Sequence, residues 1–272
     1  MKTAAIMGWP VGHSRSPLIH GYWLRHYGID GAYERREVSP EVAPRFFADF
    51  KASGLVGGNV TLPHKELAAT SADHREPIVE RVGAANTLWL EDGRLMATNT
   101  DVPGFLANLD DRAPGWDART GTAIVLGAGG AARAVVDALV GRGFDVALCN
   151  RSLDRAEALA ARYPKAVKPW LISEANRFAA AAPIVVNTTS LGMKGVGSID
   201  FAFDRLGAES VVADIVYVPL ETAFLAEGRR RGLRTVDGLG MLLHQAVEGF
   251  ERWFGLRPAV TAELRALVEA DL

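Results

Sequence analysis

The feature that most restricts how this chain can fold is a glycine-rich turn that directly follows a short apolar run. The apolar run covers residues 123–126, and the turn reads Gly127-Ala128-Gly129-Gly130-Ala131-Ala132. A helix-like segment continues to Leu139, and residues 145–149 form a second apolar run. A strand, a glycine turn, a helix and a strand within about thirty residues are typical of one βαβ unit. Apolar runs at 184–186 and 211–213 predict that the sheet continues.

The glycine turn matches a dinucleotide-binding fingerprint in which Ala132 stands at the last position. Gly127 permits the tight turn, and Gly129 lets the backbone approach a pyrophosphate. Small residues at 130–132 let the helix pack closely, and free N–H groups at its start face the phosphates. A purely structural turn is the alternative, but the position between a strand and a helix favours a cofactor site. We therefore predict a Rossmann-type domain.

The residues after the second strand indicate which dinucleotide binds. An NAD site usually has an acid there to accept hydrogen bonds from the ribose 2′-hydroxyl. Here Arg151 and Arg155 bracket Asp154, the only acid between positions 150 and 155. The two arginines are placed to flank a 2′-phosphate, which a carboxylate would repel. Merely solvated arginines are the alternative, but since they replace the expected acid we predict NADP.

Length and composition favour two domains that share a cleft, because 272 residues exceed a typical single domain. A net charge of −2 excludes a general electrostatic attraction to nucleic acid or membrane. Cys149 is the only cysteine, so an internal disulfide is excluded, and it is predicted to lie in the core. No cluster of histidines or acids has the spacing of metal ligands. Without a signal peptide or a long apolar run, we expect a cytoplasmic monomer or homodimer without a metal.

The first hundred residues predict a small α/β domain of alternating strands and helices. Pro17 lies just inside the first predicted helix, with Ser16 as its N-cap, and Pro63 opens the third. Residues 86–90 and 94–98 flank a hairpin turn. The remaining elements are strands at 3–8, 33–38 and 56–61, a helix at 40–52, and helices at 239–254 and 261–268 near the end of the chain.

Three stretches of this region are rich in polar residues without being charge runs. Residues 12–17 present two serines, and Asn59 and Thr61 alternate along a strand and so point to one face. Lys65 stands in the first turn of a helix, where the dipole disfavours a cation. It needs a carboxylate partner, and Asp101 in the third stretch is the candidate. His64 beside it is predicted to be solvated.

Motifs in both halves of the chain resemble those of the shikimate dehydrogenase family. In the first hundred residues they are Gly-x-Pro-x-x-His-Ser-x-Ser-Pro (8–17), Asn-Val-Thr-x-Pro-x-Lys (59–65), Gly-Ala-x-Asn-Thr (83–87) and Asn-Thr-Asp (99–101). Further on they are the glycine turn, Asn150-Arg151, Asn-Thr-Thr-Ser-Leu-Gly-Met (187–193), Asp-x-x-Tyr-x-Pro-x-x-Thr (214–222) and Asp-Gly-Leu-Gly-Met-Leu-Leu-His-Gln (237–245). The match keeps the family's order from about residue 4 to residue 254.

The resemblance implies the reversible reduction of 3-dehydroshikimate to shikimate with NADPH, a step toward chorismate and the aromatic amino acids. It also implies a two-domain α/β fold. Residues 1–103 would form the substrate domain, completed by helices within 239–272, and residues 104–238 the Rossmann-type NADP-binding domain.

The resemblance also assigns residues. Lys65 and Asp101 would be the catalytic pair, with the lysine donating a proton to the ketone oxygen. The residues that would hold the ring's hydroxyls and carboxylate are Ser14, Ser16, Asn59, Thr61, Asn86, Tyr217 and Gln245. The residues that would lie along the nicotinamide are Ile215, Gly238 and Met241. The remaining cofactor contacts would come from Gly127, Ala128, Gly129, Gly130, Ala131, Asn150, Arg151, Ser152, Arg155 and Thr188.

Three positions depart from the family pattern: Trp9 replaces a frequent asparagine, Ser152 a frequent threonine, and Ile215 an occasional methionine. Two other functions stay open. A quinate/shikimate dehydrogenase would have a broader substrate range and often NAD, and an acid placed for the ribose would support it. A non-catalytic NADP-binding regulator would have lost Lys65 or Asp101, and both are present.

Overall fold

The computed structural model describes all 272 residues, which form two compact units. The first unit consists of residues 1–101 and 243–271, and the second of residues 102–242 with residue 272. Both units are α/β, as predicted. The units divide inside two helices, whereas the domain boundaries predicted from the sequence, 103/104 and 238/239, stay predictions.

The first unit contains a six-stranded mixed sheet in the order β2-β1-β3-β5-β6-β4. Its strands are β1 (Lys2–Gly8), β2 (Gly31–Glu37), β3 (Gly57–Val60), β4 (His74–Arg75), β5 (Thr87–Glu91) and β6 (Arg94–Thr98). The helices that begin in it are α1 (Ser16–His26), α2 (Ala43–Ala48), α3 (Lys65–Ser71), α4 (Pro77–Val82), α5 (Asp101–Arg112) and α10 (Ala262–Glu269). A short 3₁₀ turn covers Phe50–Ser53. Helix α5 continues into the second unit.

Strand directions bring four connecting segments to one edge of this sheet. Strands β1 and β3 are parallel, so the segments that follow them leave at the same edge. Strand β5 runs antiparallel to β3 and starts with Thr87 opposite Asn59. Strand β6 ends with Thr98 opposite Thr87. The polar stretches of the sequence therefore meet at this edge.

The predicted hairpin is confirmed, and its turn has the backbone that tight hairpins require. Strands β5 and β6 pair antiparallel, and Asp92 and Gly93 between them have φ of 48° and 71°. The predicted helix at 40–52 is shorter, since α2 starts at Ala43, with Pro44 in its first turn, and ends where Asp49 leaves helical geometry. Phe47 in this helix and Phe50 in the 3₁₀ turn after it are both buried in the core.

Two predicted helix starts are wrong by one or two residues. Helix α1 begins at Ser16 itself, with Arg15 at the N-cap, because the Arg15 carbonyl accepts from the Leu18 and Ile19 N–H groups (3.0 and 3.2 Å). The Ser16 N–H donates to the Ser14 hydroxyl oxygen (3.2 Å). The serine that accepts a backbone hydrogen bond is thus Ser14. Helix α3 begins at Lys65 and not at Pro63, because the His64 N–H donates to the Thr61 carbonyl (3.0 Å) and closes a turn first.

The second unit has the strand order of a Rossmann fold. Its six strands are all parallel, in the order β12-β11-β10-β7-β8-β9. They are β7 (Thr122–Leu126), β8 (Asp145–Asn150), β9 (Val167–Leu171), β10 (Ile184–Asn187), β11 (Val211–Asp214) and β12 (Arg234–Val236). Strands β9 and β12 were not predicted from the sequence, because they lie at the two sheet edges and carry few buried apolar residues.

Helices cover the Rossmann sheet and connect its strands. They are α6 (Gly130–Gly141), α7 (Leu153–Ala160) and α8 (Ala223–Arg230), with 3₁₀ turns at Ile172–Arg177, Ala179–Ala181, Met193–Gly195 and Phe203–Arg205. Helix α9 (Leu239–Phe254) begins in this unit and ends in the first. Cys149 is fully buried, as predicted, and burial raises the pKa of its thiol to about 12. None of the helices has the length and apolar character that a bilayer crossing requires.

Candidate active site

Lys65 and Asp101 form an ion pair at the polar edge of the first sheet. The Lys65 Nζ donates to the Asp101 Oδ2 at 2.5 Å, and the two side chains are only 15% and 8% exposed. Each stands at the first position of a helix, α3 and α5. The carboxylate is stabilised there by the helix dipole, and it offsets the unfavourable placement of the ammonium. An ammonium has three N–H donors, so two remain for a ligand.

Asn86 connects this pair to the rest of the site. Its Nδ2 shares its two protons among three acceptors, the Asp101 Oδ1 (2.9 Å), the Thr100 Oγ1 (3.0 Å) and the Gln245 Oε1 (3.2 Å). Its Oδ1 accepts from the Thr100 N–H at 2.7 Å. The neighbouring Ala85 N–H donates to the Lys65 carbonyl at 2.8 Å. Asn86 therefore fixes the Asp101 carboxylate, while the chain beside it holds the start of α3.

Two buried threonines, Thr87 and Thr100, complete this network. In the sequence they stand out only as members of the motifs at 83–87 and 99–101. The hydroxyls of Thr87 and Thr100 are 3.1 Å apart, and both also contact the Asn86 Oδ1. Asn99 accepts from the Asp101 N–H (3.1 Å) and donates to the Ala84 carbonyl (2.9 Å). The only available signal was the repeated Asn-Thr pair. A network with this many satisfied partners holds its members in one geometry.

The serine loop, residues 12–16, lies after β1 at the same edge. Ser14 and Ser16 are both buried, and the Ser14 hydroxyl accepts from the Ser16 N–H, which leaves its own proton for a ligand. Arg15 ties the loop to the end of the chain, with its Nε 2.7 Å from the Asp271 Oδ2. The two serines are thus held where the strand ends.

Asn59 and Thr61 follow along β3 and the segment after it. The Asn59 Nδ2 donates to the Asn86 carbonyl (3.3 Å) and the Thr87 Oγ1 (3.1 Å). The Thr61 N–H donates to the Met7 carbonyl at 2.8 Å. Gly8 allows the end of β1 to lie this close to the segment after β3, because a Cβ at this position would lie 2.9 Å from the Leu62 carbonyl oxygen.

Gln245 and Tyr217 are the remaining predicted substrate residues. Gln245 is buried on α9 and contacts Asn86, which itself binds Asp101. Tyr217 belongs to the second unit, on the segment after β11. Its role toward a substrate stays a prediction.

The prediction that His64 is solvated is wrong. The ring is buried against Phe47, and its Nε2 lies 2.7 Å from the Val38 carbonyl oxygen. His64 precedes α3 directly, so this bond anchors the start of the helix that carries Lys65. Neighbouring apolar residues on α2 supply the burial that the local sequence does not reveal.

In the second unit, the glycine turn leaves open space over the backbone of Gly129 and the start of α6, and we call this space the open cradle. Gly127 has φ of 105°, and a Cβ there would lie 2.8 Å from the Thr188 Oγ1, so only glycine fits. A Cβ at Gly129 would meet nothing within 4 Å, and no side chain caps α6, which starts at Gly130. This open helix start, with its N–H groups, fits a pyrophosphate.

Asn150 and Thr188 hold the turn from the neighbouring strands. The Asn150 Oδ1 accepts from the Ala128 N–H (3.2 Å), and its Nδ2 donates to the Ser152 carbonyl (2.8 Å). The Thr188 hydroxyl donates to the Leu126 carbonyl at 2.8 Å. Asn150 is thus occupied on both sides by the backbone, which makes it a support for the turn.

Arg151 and Arg155 carry uncompensated charge at the start of α7. Both are exposed, and neither forms an ion pair. Ser152 is the N-cap of this helix, and its side chain makes no capping hydrogen bond. Two free guanidinium groups beside an uncapped helix start fit a phosphate on the ribose.

The residues predicted along the nicotinamide lie after β11 and at the start of α9. Gly238 packs so tightly on the backbone of Ile215 and Val216 that a Cβ would lie 2.8 Å from the Val216 carbonyl oxygen. Met241 is buried one turn further along α9. The structure therefore brings Ile215 and Gly238 together, and their contact with a cofactor stays a prediction.

Asp214, for which no role was predicted from the sequence, organises the segment that follows β11. Its Oδ1 accepts from the Asn187 Nδ2 (3.0 Å) and the Val216 N–H (2.9 Å), and its Oδ2 accepts from the Thr222 hydroxyl (2.7 Å). Burial raises the pKa of this carboxyl group, and the three hydrogen bonds act against that rise. Asp214 therefore joins β10, the segment after β11 and the start of α8.

Replacing Asp214 with alanine is expected to lower the free energy of unfolding by about 2–4 kcal/mol, because three donors lose a buried acceptor. Chemical denaturation followed by circular dichroism measures this loss. The exposed Asp200→Ala is the matched control and should change stability by less than about 0.5 kcal/mol. Equal midpoints for the two variants would contradict the role given to Asp214.

Models of known protein families match three segments of the chain. Residues 6–88 match the shikimate dehydrogenase substrate binding domain, residues 111–196 match shikimate/quinate 5-dehydrogenase, and residues 238–268 match the shikimate 5′-dehydrogenase C-terminal domain. The first match contains the serine loop and Lys65, and the second contains the glycine turn and both arginines.

Individual proteins match over the whole chain. A shikimate dehydrogenase (NADP⁺) from Azorhizobium caulinodans is 57% identical over 273 residues, covering 100% of this chain and 97% of that protein. The crystal structure of shikimate 5-dehydrogenase from Thermus thermophilus, in complex with NADP(H) and shikimate, is 35% identical, covers 100% of both chains and has a TM-score of 0.88. Quinate dehydrogenase from Corynebacterium glutamicum, in complex with NAD, is 29% identical, covers 99% of both chains and has a TM-score of 0.89.

Proposed function

Because the chain belongs to the shikimate dehydrogenase family, we propose that Lys65 and Asp101 catalyse its reaction. The reaction is the reversible reduction of 3-dehydroshikimate to shikimate with NADPH, a step toward chorismate and the aromatic amino acids. The observation that carries the assignment to these two residues is their sheltered ion pair inside the polar network of Asn86.

Lys65 acts on the oxygen of the ketone. When bound, NADPH supplies a hydride to the ketone carbon, and negative charge develops on the oxygen as the C=O bond becomes a single bond. The Lys65 ammonium stabilises that charge and donates a proton, so the product is an alcohol. In the reverse direction the neutral amine takes the proton from the hydroxyl.

Asp101 keeps the ammonium in place. Its Oδ2 accepts from Lys65, and its Oδ1 is held by Asn86, so the carboxylate cannot turn without breaking both bonds. Each carboxylate oxygen has a further lone pair that can accept a hydrogen bond from a ring hydroxyl. We assign Asp101 the orientation of Lys65 and one hydroxyl contact.

The remaining contacts follow from donor and acceptor capacity. The hydroxyl protons of Ser14 and Ser16 suit a carboxylate, which accepts hydrogen bonds only. Thr61 follows β3 at the same sheet edge and Gln245 contacts Asn86, so both suit the ring hydroxyls. Asn86 joins this set on the resemblance, since its own amide group is already bonded to Asp101, Thr100 and Gln245. Tyr217 joins this set on the resemblance alone.

NADP is the cofactor. The open cradle over Gly129 and the uncapped start of α6 suit the pyrophosphate, and Arg151 and Arg155 suit the 2′-phosphate. We place Ser152 at the phosphate and Ile215, Gly238 and Met241 at the nicotinamide. A quinate-oxidising, NAD-dependent enzyme is the second candidate, and the solved quinate dehydrogenase complex with NAD is the observation that keeps it open.

One spectrophotometric experiment separates these functions. The purified protein is mixed with shikimate or quinate and with NADP⁺ or NAD⁺, and reduced cofactor is followed by its absorbance. We expect kcat/KM to be highest for shikimate with NADP⁺. A higher value for quinate with NAD⁺ would establish the second candidate, and no reduction in any of the four mixtures would leave a non-catalytic NADP-binding protein. We place the enzyme in the cytoplasm, as a monomer or homodimer without nucleic-acid or membrane partners.

A further inference from the structure

Strand β2 carries two residues whose role the proposed function leaves unexplained. Side chains alternate along a strand, so Tyr33 and Arg35 point to one face and Glu34 and Arg36 to the other. Arg36 pairs with Glu34 on its own face. On the opposite face Tyr33 contacts Asn59 and Arg35 contacts Ser14, and both partners belong to the candidate active site.

Tyr33 determines what Asn59 can offer a ligand. The Tyr33 hydroxyl donates to the Asn59 Oδ1 at 2.7 Å, and both Nδ2 protons of Asn59 are donated to Asn86 and Thr87. An amide has two N–H donors and two acceptor lone pairs, so one lone pair on the Oδ1 remains. Asn59 can therefore only accept a hydrogen bond, which selects a ring hydroxyl over a carbonyl or a carboxylate.

The phenol of Tyr33 is held firmly as a donor. Its ring stacks on that of His20, with centroids 4.0 Å apart, and Trp253 packs beside it. Burial raises the pKa of the Tyr33 hydroxyl, with Ser16 and Asn59 acting in the opposite direction. Burial also lowers the pKa of His20 to about 3, so that ring is neutral. The hydroxyl keeps its proton and its direction throughout the working pH range.

Arg35 brings a free positive charge to the serine loop. One of its terminal nitrogens donates to the Ser14 carbonyl oxygen at 2.8 Å. Arg35 forms no ion pair, in contrast to Arg36 next to it. The net charge of the chain is −2, so attraction of an anionic substrate depends on local cations of this kind.

We propose that Tyr33 and Arg35 are positioning residues for the substrate ring. Tyr33 orients Asn59 as an acceptor for one ring hydroxyl, and Arg35 fixes the Ser14 backbone and adds positive charge where the serines receive the carboxylate. This inference rests on the proposed function, because it presupposes a hydroxylated, anionic substrate at this edge of the sheet.

The test compares Arg35→Gln, Arg35→Lys and Tyr33→Phe with Arg36→Gln as the matched control from the same strand. For Arg35→Gln we expect the KM for shikimate to rise about tenfold, with kcat within about twofold and the KM for NADP⁺ unchanged. For Tyr33→Phe we expect a rise of about fivefold in the same KM. Arg36→Gln should behave like the wild type.

Ionic strength separates the charge of Arg35 from a structural effect. The wild-type KM for shikimate should rise as salt is raised from about 0.05 to 0.5 M, because salt screens exposed charges. The dependence of this KM on salt concentration should be weaker in Arg35→Gln and be restored in Arg35→Lys, which keeps the charge.

A KM and a salt dependence for Arg35→Gln equal to those of Arg36→Gln would overturn the role of Arg35, and an unchanged KM in Tyr33→Phe would overturn that of Tyr33. In both cases the wild type is active, whereas failure of the proposed function would show as a wild type inactive on shikimate.

Discussion

Replacing Lys65 with alanine is expected to lower kcat by about 10²–10⁴-fold while leaving NADPH binding nearly unchanged. The alanine has neither the ammonium that stabilises the developing charge nor the proton that the oxygen receives. The glycine turn and the arginines that suit the dinucleotide belong to the second unit, and Lys65 to the first. Turnover is measured by absorbance in the NADPH band, and NADPH affinity by fluorescence titration.

Lys51→Ala is the control for Lys65→Ala. Lys51 is an exposed lysine in the 3₁₀ turn of the same unit, and its loss should leave kcat within about twofold. Circular dichroism of both variants excludes a folding defect. Unchanged turnover in Lys65→Ala would refute its catalytic role, and a parallel loss of NADPH affinity would indicate a role in cofactor binding.

Removing both Arg151 and Arg155 is expected to raise the KM for NADPH about 100-fold or more and to leave the KM for NADH nearly unchanged. A hydrogen bond to a charged group contributes roughly 1.5–3 kcal/mol, and about 1.4 kcal/mol corresponds to a tenfold change in affinity. NADH lacks the 2′-phosphate, so removing the two arginines costs it no hydrogen bond to a phosphate. The measurement is steady-state kinetics of the Arg151→Ala/Arg155→Ala variant with each cofactor.

Arg177→Ala is the control for the double variant. Arg177 is an exposed arginine of the same unit whose charge is compensated by Glu174 at 2.8 Å. Its removal should change neither cofactor's KM. An equal rise of the KM for NADPH and NADH in the double variant would show that the two arginines act on a part common to both cofactors, and the 2′-phosphate assignment would be wrong.

The glycine turn could be predicted from the sequence because its cause is local. A residue with φ of 105° and no room for a Cβ must be glycine, and the apolar run before it must be a buried strand. The same holds for the hairpin at Asp92 and Gly93, whose backbone angles select these residues. The partnership of Lys65 and Asp101 was predictable because a cation at a helix start needs a compensating charge.

Other parts of the site depend on contacts between distant segments. Tyr33 and Asn59 are 26 residues apart, and no periodicity in β2 marks the face that Tyr33 shares with Arg35. His64 looks like a solvated residue until α2 covers it with Phe47. Asp214 acquires its role only when β10 and the start of α8 supply Asn187 and Thr222 as donors. Strands β9 and β12 could not be predicted because they lie at the edges of the sheet, where few of their side chains are buried and the apolar pattern is weak.

The most direct test is a crystal structure of the protein with shikimate and NADP⁺ bound. The quantity to measure is the distance from the Lys65 Nζ to the ring oxygen on the carbon nearest the nicotinamide. We predict a hydrogen bond of about 2.7–3.2 Å, with the Asp101 carboxylate still paired to the ammonium. A substrate bound with its carboxylate at Lys65, or with the reacting oxygen beyond hydrogen-bonding reach of that amine, would contradict the proposed mechanism.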